Sequence, residues 1–132
     1  MEARPGKVEG AMLERLKSAS LANYSNTTSE RKKTVMPLTI VAHITAATGK
    51  EDFVFENLKT MIAPTRAEAG CLQYDLHRDN ENPAYFMFFE NWESRELWQD
   101  HIKSPHVTAY RAAVNAEDAL ADFKLHEMTK TD

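Results

Sequence analysis

An α+β domain of the ferredoxin-like class is the fold that this sequence predicts, and two observations support it. Segments with strand and helix patterns follow one another in the order strand, helix, strand, strand, helix, strand, which is the order of that fold. One of the strands is apolar on both faces, so both sides of the sheet need to be covered. With 132 residues, of which 42% are hydrophobic and 27% charged, the chain has the material for one core.

The first strand and first helix occupy residues 38–70. Leu38–Ala46 alternates two sets of side chains, with Ile40 and Ile44 among those on one face and His43 on the other. A helix is predicted from Glu51 because apolar residues then recur at helical spacing. Pro64 lies inside this helical pattern, so we expect a kink or break near residue 62.

The next two strands form a predicted hairpin. Cys71–Arg78 alternates as a strand, and the turn-forming run Asp79–Pro83 separates it from the aromatic strand Tyr85–Trp92. A five-residue loop between two strands predicts antiparallel pairing. Apolar side chains fall on both faces of the second strand of this hairpin, and a dimer that packs sheet against sheet would cover the face that the helices leave open.

The segment from Trp92 to His106 carries a tryptophan and two histidines at a strand-to-helix transition. Ser94 is a candidate N-cap, and Pro105 ends or kinks the helix that follows it. A further helix is predicted from His106 to Val114, a break at residues 115–118, and a last strand near Asp122–Met128.

Residues 1–35 differ from the rest and are predicted to be a loosely attached, flexible extension, with the domain proper over residues 36–132. They hold seven lysines and arginines against four acids, which gives a net charge of +3. Since the whole chain carries −4, residues 36–132 carry −7. Apolar residues are sparse between residues 22 and 33, so this stretch has little with which to build a core. Met36 followed by Pro37 would serve as a natural start.

Composition excludes several classes of function. The acidic body argues against nucleic acid as the main partner, because phosphate binding needs a basic surface. No apolar run approaches the roughly 18 residues that span a bilayer, and the N-terminus lacks a signal-peptide pattern. The single cysteine, Cys71, excludes an intramolecular disulfide and fits a reducing compartment, so we expect a cytoplasmic protein.

Motifs for other chemistries are also missing. The sequence has no glycine-rich phosphate loop and no serine-centred nucleophile elbow. It has neither a His-x₃-His pair nor a Cys/His cluster, so no metal site is predicted from spacing. His101 and His106 are five residues apart, which on an unbroken helix would turn them about 140° away from each other.

Three segments carry a resemblance to a known family. They are Glu68-Ala69-Gly70-Cys71-Leu72-Gln73-Tyr74, Phe88-Phe89-Glu90-Asn91-Trp92-Glu93-Ser94 and His101-Ile102-Lys103-Ser104-Pro105-His106-Val107-Thr108-Ala109-Tyr110. In order and spacing they resemble the antibiotic-biosynthesis-monooxygenase family, and within it the small bacterial quinol monooxygenases. The resemblance covers residues 36 to about 128.

The resemblance implies a dimeric α+β barrel with a pocket between sheet and helices in each subunit. It also implies oxygenation of quinols, anthrones or related phenolics by molecular oxygen, without flavin, haem or metal. Some relatives carry out other chemistry, including haem degradation and isomerisation of a small metabolite, so the family indicates the fold more narrowly than the reaction.

Oxygenation without a cofactor needs a base to deprotonate the substrate, because an electron-rich anion can pass an electron to oxygen. Histidine suits this role, since its pKa lies near neutrality. His101 is the leading candidate: it is four residues after Leu97 and three after Trp98 on the predicted helix, and therefore on its inward face. His106 is a second candidate or simply the start of the next helix. His43 is a third, or else a core or interface histidine.

Four residues are candidates for substrate binding. Trp92 can stack on a flat substrate or fill the core, and Asn57 and Tyr74 can donate hydrogen bonds to a quinone oxygen. Phe88, on the same aromatic strand as Trp92, would contribute to an aromatic pocket. Glu90 shares the face of Trp92 and can instead be a buried structural acceptor.

The sequence thus predicts a cofactor-independent monooxygenase that oxidises a quinol or polycyclic phenol as a homodimer. Two alternatives stay open at this point. One is an isomerase of a small hydroxy-carbonyl metabolite that uses the same histidines to move protons. The other is a non-catalytic module that binds aromatic ligands.

Overall fold

The computed structural model describes residues 37–132, and the predicted extension over residues 1–35 lies outside them. The described part contains four strands and four helices in chain order. They are β1 Leu38–Ala46, α1 Glu51–Lys59, α2 Ile62–Arg66, β2 Cys71–Arg78, β3 Tyr85–Trp92, α3 Arg95–Ile102, α4 Pro105–Ala116 and β4 Leu120–Met128.

The four strands form one antiparallel sheet in the order β2-β3-β1-β4. In β1 and β3 buried residues alternate strictly with half-buried ones, because successive side chains of a strand point to opposite faces. The helices cover the face that carries the buried set, which includes Ile40, Phe86 and Trp92. The predicted ferredoxin-like class is confirmed.

The break expected near residue 62 is present, since α1 ends at Lys59 and α2 begins at Ile62. Pro64 explains its position. A proline inside a helix cannot donate its backbone hydrogen bond, and its ring clashes with the carbonyl four residues earlier, which here belongs to Thr60. Pro64 is tolerated in the first turn of α2, where its missing N–H is not needed.

The C-terminal elements begin earlier or extend further than the sequence predicts. Helix α4 runs two residues beyond Val114, to Ala116, and β4 begins at Leu120 rather than Asp122. The strand pairing shifts register between Thr45 and Ala46, where Leu120 pairs with Ala46. This irregularity interrupts the alternation of β4, which is why the sequence pattern locates only its second part.

The other face of the sheet is more open. Val41, Met87 and Phe89 are half-buried there, while Leu72 and Met128 are large apolar side chains with exposed fractions of 56% and 48%. The described residues therefore leave an apolar sheet surface without a covering layer. Within residues 37–132, no helix is both long and apolar enough to cross a bilayer.

Candidate functional site

A pocket of about 40 Å³, partly open to solvent, lies between the covered face of the sheet and the helices. Most of its wall is apolar or aromatic, as in typical small-molecule sites. Aromatic rings come from β2, β3, β4 and the helices, and the pair Tyr74 and Phe88 stack with their centroids 4.3 Å apart. The polar groups in the wall belong to five residues: Tyr74, Glu90, Trp98, His101 and Tyr110.

Helix α3 delivers His101 to this cavity. The helix begins after Ser94, whose side chain accepts a hydrogen bond from the backbone N–H of Leu97, as expected of an N-cap. His101 follows two turns later on the inward face, and only 3% of its surface is exposed. Its ring packs edge-on to Tyr74 and lies 4.8 Å, centroid to centroid, from Trp92.

Glu68 holds this imidazole from the side away from the cavity. Nδ1 of His101 donates to Oε2 of Glu68 over 2.8 Å, and Nε2 of His106 donates to the same oxygen over 2.7 Å. Glu68 lies in the turn between α2 and β2, where its backbone bonds to Thr65 and Cys71. Glu68 is therefore the hydrogen-bond partner of the His101 ring.

Pro105 brings the second histidine back to the first. Helix α3 ends at Ile102, and α4 starts at Pro105 in the position where a missing N–H costs nothing. The change of direction places the rings of His101 and His106 with their centroids 6.0 Å apart. The divergence that a continuous helix would impose is therefore absent.

Burial lowers the pKa of His101 below its ordinary value, while the hydrogen bond and charge of Glu68 act in the opposite direction more weakly. The neutral imidazole is thus favoured near neutral pH. An ionised carboxylate only accepts hydrogen bonds, so the proton of the ring is on Nδ1, the atom that faces Glu68. Nε2 then carries a lone pair that can accept a proton from a molecule in the cavity.

Glu90 is a second titratable group in the cavity wall. Its side chain is 4% exposed, and Oε1 accepts a hydrogen bond of 2.9 Å from Nε1 of Trp92. Burial raises the pKa of Glu90 to about 8, with the negative charge of Glu68 adding to the effect. At neutral pH this carboxyl group is mostly protonated, so the cavity holds an acid as well as a base.

Two hydrogen-bond donors in the cavity wall have no partner within the described residues. They are Nε1 of Trp98 and the hydroxyl of Tyr110. Both side chains are almost fully buried, at 1% and 6% exposure. Buried donors are nearly always hydrogen-bonded, so these two atoms are available to an acceptor that enters the cavity.

Five of the seven predicted site residues lie at the cavity or next to it. His101, Tyr74 and Phe88 line the cavity. Trp92 lies just behind the wall, where its ring contacts His101 and its indole N–H donates to Glu90. His106 is connected to His101 through Glu68, to which both histidines are hydrogen-bonded.

The remaining two candidates lie elsewhere. His43 is on the open face of the sheet, where Nδ1 hydrogen-bonds the hydroxyl of Tyr85 and the ring meets that of His126. Asn57 does not line the cavity, and its side chain donates to the backbone carbonyl of Phe53 one turn earlier. The structure does not bring either of them to the other candidates.

Four residues of the site were not predicted as functional. Glu68 starts one of the three motifs, but it is 33 residues from His101, so no local spacing indicates the pair. Trp98 and Tyr110 were given no role at the site, and Glu90 was treated as a possible structural acceptor. The one available signal was that each of these side chains carries a polar atom. The sequence alone does not show whether such an atom has a hydrogen-bond partner inside the fold.

Glu68, His101 and His106 are also a possible set of metal ligands. One ligand-type atom from each lies within 4.8 Å of the others. Two imidazole nitrogens and one carboxylate oxygen form a donor set used by divalent transition metals.

Comparison with protein families and sequences agrees with this architecture. The family model for antibiotic biosynthesis monooxygenase matches residues 37–113. A Mycobacterium tuberculosis protein named "Putative monooxygenase Rv0793" is 35% identical over 78 residues, which cover 59% of this chain and 76% of the relative. An uncharacterised Synechocystis protein is 26% identical over 98 residues, and this match spans 72% of the chain but only 65% of the relative's length.

Solved structures give the same result. A Pseudomonas aeruginosa protein superposes with a TM-score of 0.70 at 34% identity, covering 74% of this chain and 96% of its own. The structure of the Mycobacterium tuberculosis protein superposes with a TM-score of 0.66 at 30% identity, covering 73% and 96%. Sequence motifs, cavity and fold all lead to one assignment: the chain belongs to the antibiotic biosynthesis monooxygenase family.

Proposed function

We propose that this protein is a cofactor-independent monooxygenase that oxidises a quinol or a related polycyclic phenol with molecular oxygen. The observation that carries the proposal is the pairing, in one buried aromatic cavity, of a neutral imidazole with two unpartnered donors. His101 would take the proton, and Trp98 and Tyr110 would bind the oxygen atoms of the substrate. The family's name supports oxygenation as the reaction class.

The shape and lining of the cavity favour a flat substrate with oxygen at its edge. Tyr74 and Phe88 are stacked on one another in the wall, and most of the remaining lining is aliphatic. An apolar wall selects against charged metabolites, because a charge that enters it loses its hydration. The three polar positions at His101, Trp98 and Tyr110 suit hydroxyl or carbonyl oxygens.

The first step is deprotonation of the substrate hydroxyl by Nε2 of His101. Glu68 stabilises the imidazolium that forms, through the hydrogen bond to Nδ1, and it fixes the orientation of the ring. Donors at Trp98 and Tyr110 stabilise the negative charge on the substrate oxygen, which is where charge develops in the reaction.

The electron-rich anion then reacts with oxygen. One electron passes to O₂, the two radicals combine at a ring carbon, and a carbon–oxygen bond forms. The O–O bond then breaks: one oxygen atom stays on the substrate, and the other leaves as water with the ring hydrogen and the hydroxyl proton. The substrate supplies all four electrons, so no external reductant is needed. The protonated carboxyl group of Glu90 can supply one of these protons to the leaving oxygen, and it regains a proton when the ring hydrogen is lost.

The test is oxygen uptake with a panel of quinols, naphthols and anthrones, followed by mass spectrometry of products formed under ¹⁸O₂. We expect uptake with at least one class and one ¹⁸O atom in the product. His101→Ala should keep the fold and lose about 10²–10⁴ in turnover, the usual contribution of a general base. The exposed His77→Ala is the matched control and should keep full activity.

Turnover of His101→Ala within a few-fold of the wild type, with the fold intact, would show that His101 is a packing residue. His106 would then be the next candidate for the base, because it shares Glu68. His43 could act as the base only for a substrate bound at the open sheet face, where His43 lies near Tyr85.

Isomerisation of a small hydroxy-carbonyl compound is a second candidate, favoured by one observation. Moving a proton between adjacent carbons requires a base and an acid in the same cavity, and neutral His101 with protonated Glu90 provides both. Such a reaction consumes no oxygen. Loss of a hydroxy-carbonyl substrate under argon, with no oxygen uptake toward the phenolic panel, would decide for it.

We propose in addition that the protein is a homodimer that packs through the open face of the sheet. Val41, Met87 and Phe89 on this face are only half-buried within one chain. The neighbouring Leu72 and Met128 are exposed. A second copy would cover all five, whereas the described residues of a single chain leave them facing water.

A further inference from the structure

We propose that Glu68, His101 and His106 bind a divalent transition-metal ion such as Zn²⁺, and that the bound ion switches off His101 as a base. The second part rests on the proposed function, whereas the first does not. Metal binding here would be a form of control, since the proposed reaction itself uses no metal.

The donor set and its geometry suit such an ion. Two imidazole nitrogens and one carboxylate oxygen converge with separations of 2.7 and 2.8 Å from Oε2 of Glu68, and all three atoms lie within 4.8 Å of one another. An ion about 2.1 Å from each atom would set them about 3–3.5 Å apart. To make room for the ion, the two short contacts would lengthen by about 0.2–0.8 Å, and the two imidazole nitrogens, which are at most 4.8 Å apart, would move to the same 3–3.5 Å separation.

The charges around the cluster favour a cation. Within residues 37–132, Glu68 pairs with the two imidazoles and with no lysine or arginine. Its carboxylate is therefore not neutralised by a permanent positive charge, as it would be in an ordinary salt bridge.

Access to the cluster is direct. The side chains of Glu68 and His106 are 17% and 19% exposed, while that of His101 is 4% exposed. An ion can therefore enter from solvent through the outer two ligands and does not have to cross the aromatic cavity. The fourth position of a tetrahedral site would be filled by water from the same side.

Metal binding changes which nitrogen of His101 carries the proton. Without metal, Nδ1 is protonated and hydrogen-bonded to Glu68, and Nε2 has the lone pair that faces the cavity. A metal ion needs the lone pair of Nδ1, so the neutral ring must then carry its proton on Nε2. The cavity would face an N–H donor, and His101 could no longer accept the substrate proton.

The experiment is a titration of chelator-treated protein with Co²⁺ alone, followed by visible ligand-field absorption and calorimetry without substrate. We expect one ion per chain for the wild type. Glu68→Gln and His106→Gln should each weaken binding by more than about 100-fold, beyond the roughly 10–100-fold effect of changes outside the ligand shell. His77→Gln removes an exposed histidine outside the cluster and should bind as the wild type does.

Absence of binding by the wild type, or equal binding by His106→Gln and the wild type, would overturn the metal site. Because no substrate is present, this result is independent of the enzymatic activity. Circular dichroism of each variant shows whether a loss of binding reflects a loss of fold.

The second arm measures oxygen uptake with and without Zn²⁺ on an accepted phenolic substrate. Turnover of the wild type should fall over the concentration range in which Zn²⁺ binds, and a chelator should restore it. The turnover that His106→Gln retains should not respond to Zn²⁺ in this range. Stoichiometric binding with unchanged turnover would keep the metal site and refute the inhibition.

Discussion

Glu90 shows how strongly one buried side chain can link stability to pH. Burial raises the pKa of its carboxyl group from 4.5 to about 8, so the folded protein holds this proton where the unfolded chain has lost it. The contribution of this bound proton to the stability of the fold is therefore fully present below about pH 4.5, and it is lost as the pH rises toward and through 8. The total cost of ionisation is at most about 4–5 kcal/mol, at about 1.4 kcal/mol per pKa unit.

Glu90→Gln should remove this dependence. Glutamine keeps the shape and an oxygen that can accept from Nε1 of Trp92, but it cannot ionise. We expect the variant to be more stable than the wild type by about 2–4 kcal/mol at pH 9 and to differ by less than about 1 kcal/mol at pH 5. Urea unfolding at both pH values measures this. An equal difference at the two values would mean that Glu90 does not titrate between them.

The unpartnered donors of Trp98 and Tyr110 predict opposite effects on stability and on catalysis. Tyr110→Phe removes a buried hydroxyl without a partner, so the free protein should gain about 1 kcal/mol of stability. If the hydroxyl stabilises the substrate anion as it forms, kcat/KM should fall by roughly tenfold, which corresponds to one lost hydrogen bond. Thermal unfolding and steady-state kinetics on the same preparation test both effects.

Trp98→Phe is the companion variant, because it also removes a donor and keeps an aromatic ring. Its smaller ring leaves a cavity, so the stability gain is expected only for Tyr110→Phe. An unchanged kcat/KM in both variants would show that neither donor stabilises the substrate anion.

At the scale of elements, Gly70 sets how α3 approaches the start of β2. Its φ of +84° lies in the left-handed region, and a Cβ there would come within 2.4 Å of Cδ1 of Leu97. Leu97 belongs to the helix that carries His101, and Glu68 lies two residues before the glycine. The close approach of Gly70 and Leu97 therefore holds Glu68 at hydrogen-bonding distance from His101.

Gly70→Ala should destabilise the fold by about 2–4 kcal/mol, through backbone strain and the clash with Leu97. Gly49→Ala is the matched control: φ is +86° there, but nothing lies within 4 Å of the added Cβ. It should cost about 1 kcal/mol from strain alone. Equal losses in the two variants, measured by urea unfolding, would show that the contact with Leu97 is unimportant.

At the scale of the whole molecule, the open sheet face carries Leu72 and Met128, the exposed large apolar side chains of the described residues. We expect light scattering at micromolar concentration to give about twice the chain mass of 15.0 kDa. Phe89→Lys places a charge in the centre of the face and should yield a monomer. Thr108→Lys adds the same charge to an exposed position on α4 and should stay dimeric. A monomeric wild type would contradict the proposed dimer.

The sequence by itself determined the order of strands and helices, the Ser94 cap and the break caused by Pro64. These features follow from alternation, helical spacing and the chemistry of single residues, all of which act over a few positions. Its placement of His101 on the inward face of α3 is confirmed by burial for the same reason. The three motifs were enough to predict the family.

Only the tertiary structure decided which side chains meet. Glu68 joins His101 across 33 residues, and Trp98 and Tyr110 reach the cavity from two different helices. Such contacts depend on how helices pack on the sheet, which periodicity does not encode. The same applies to His43: its alternation places it on a strand face, but only the packing of helices on the opposite side shows that this face is the open one.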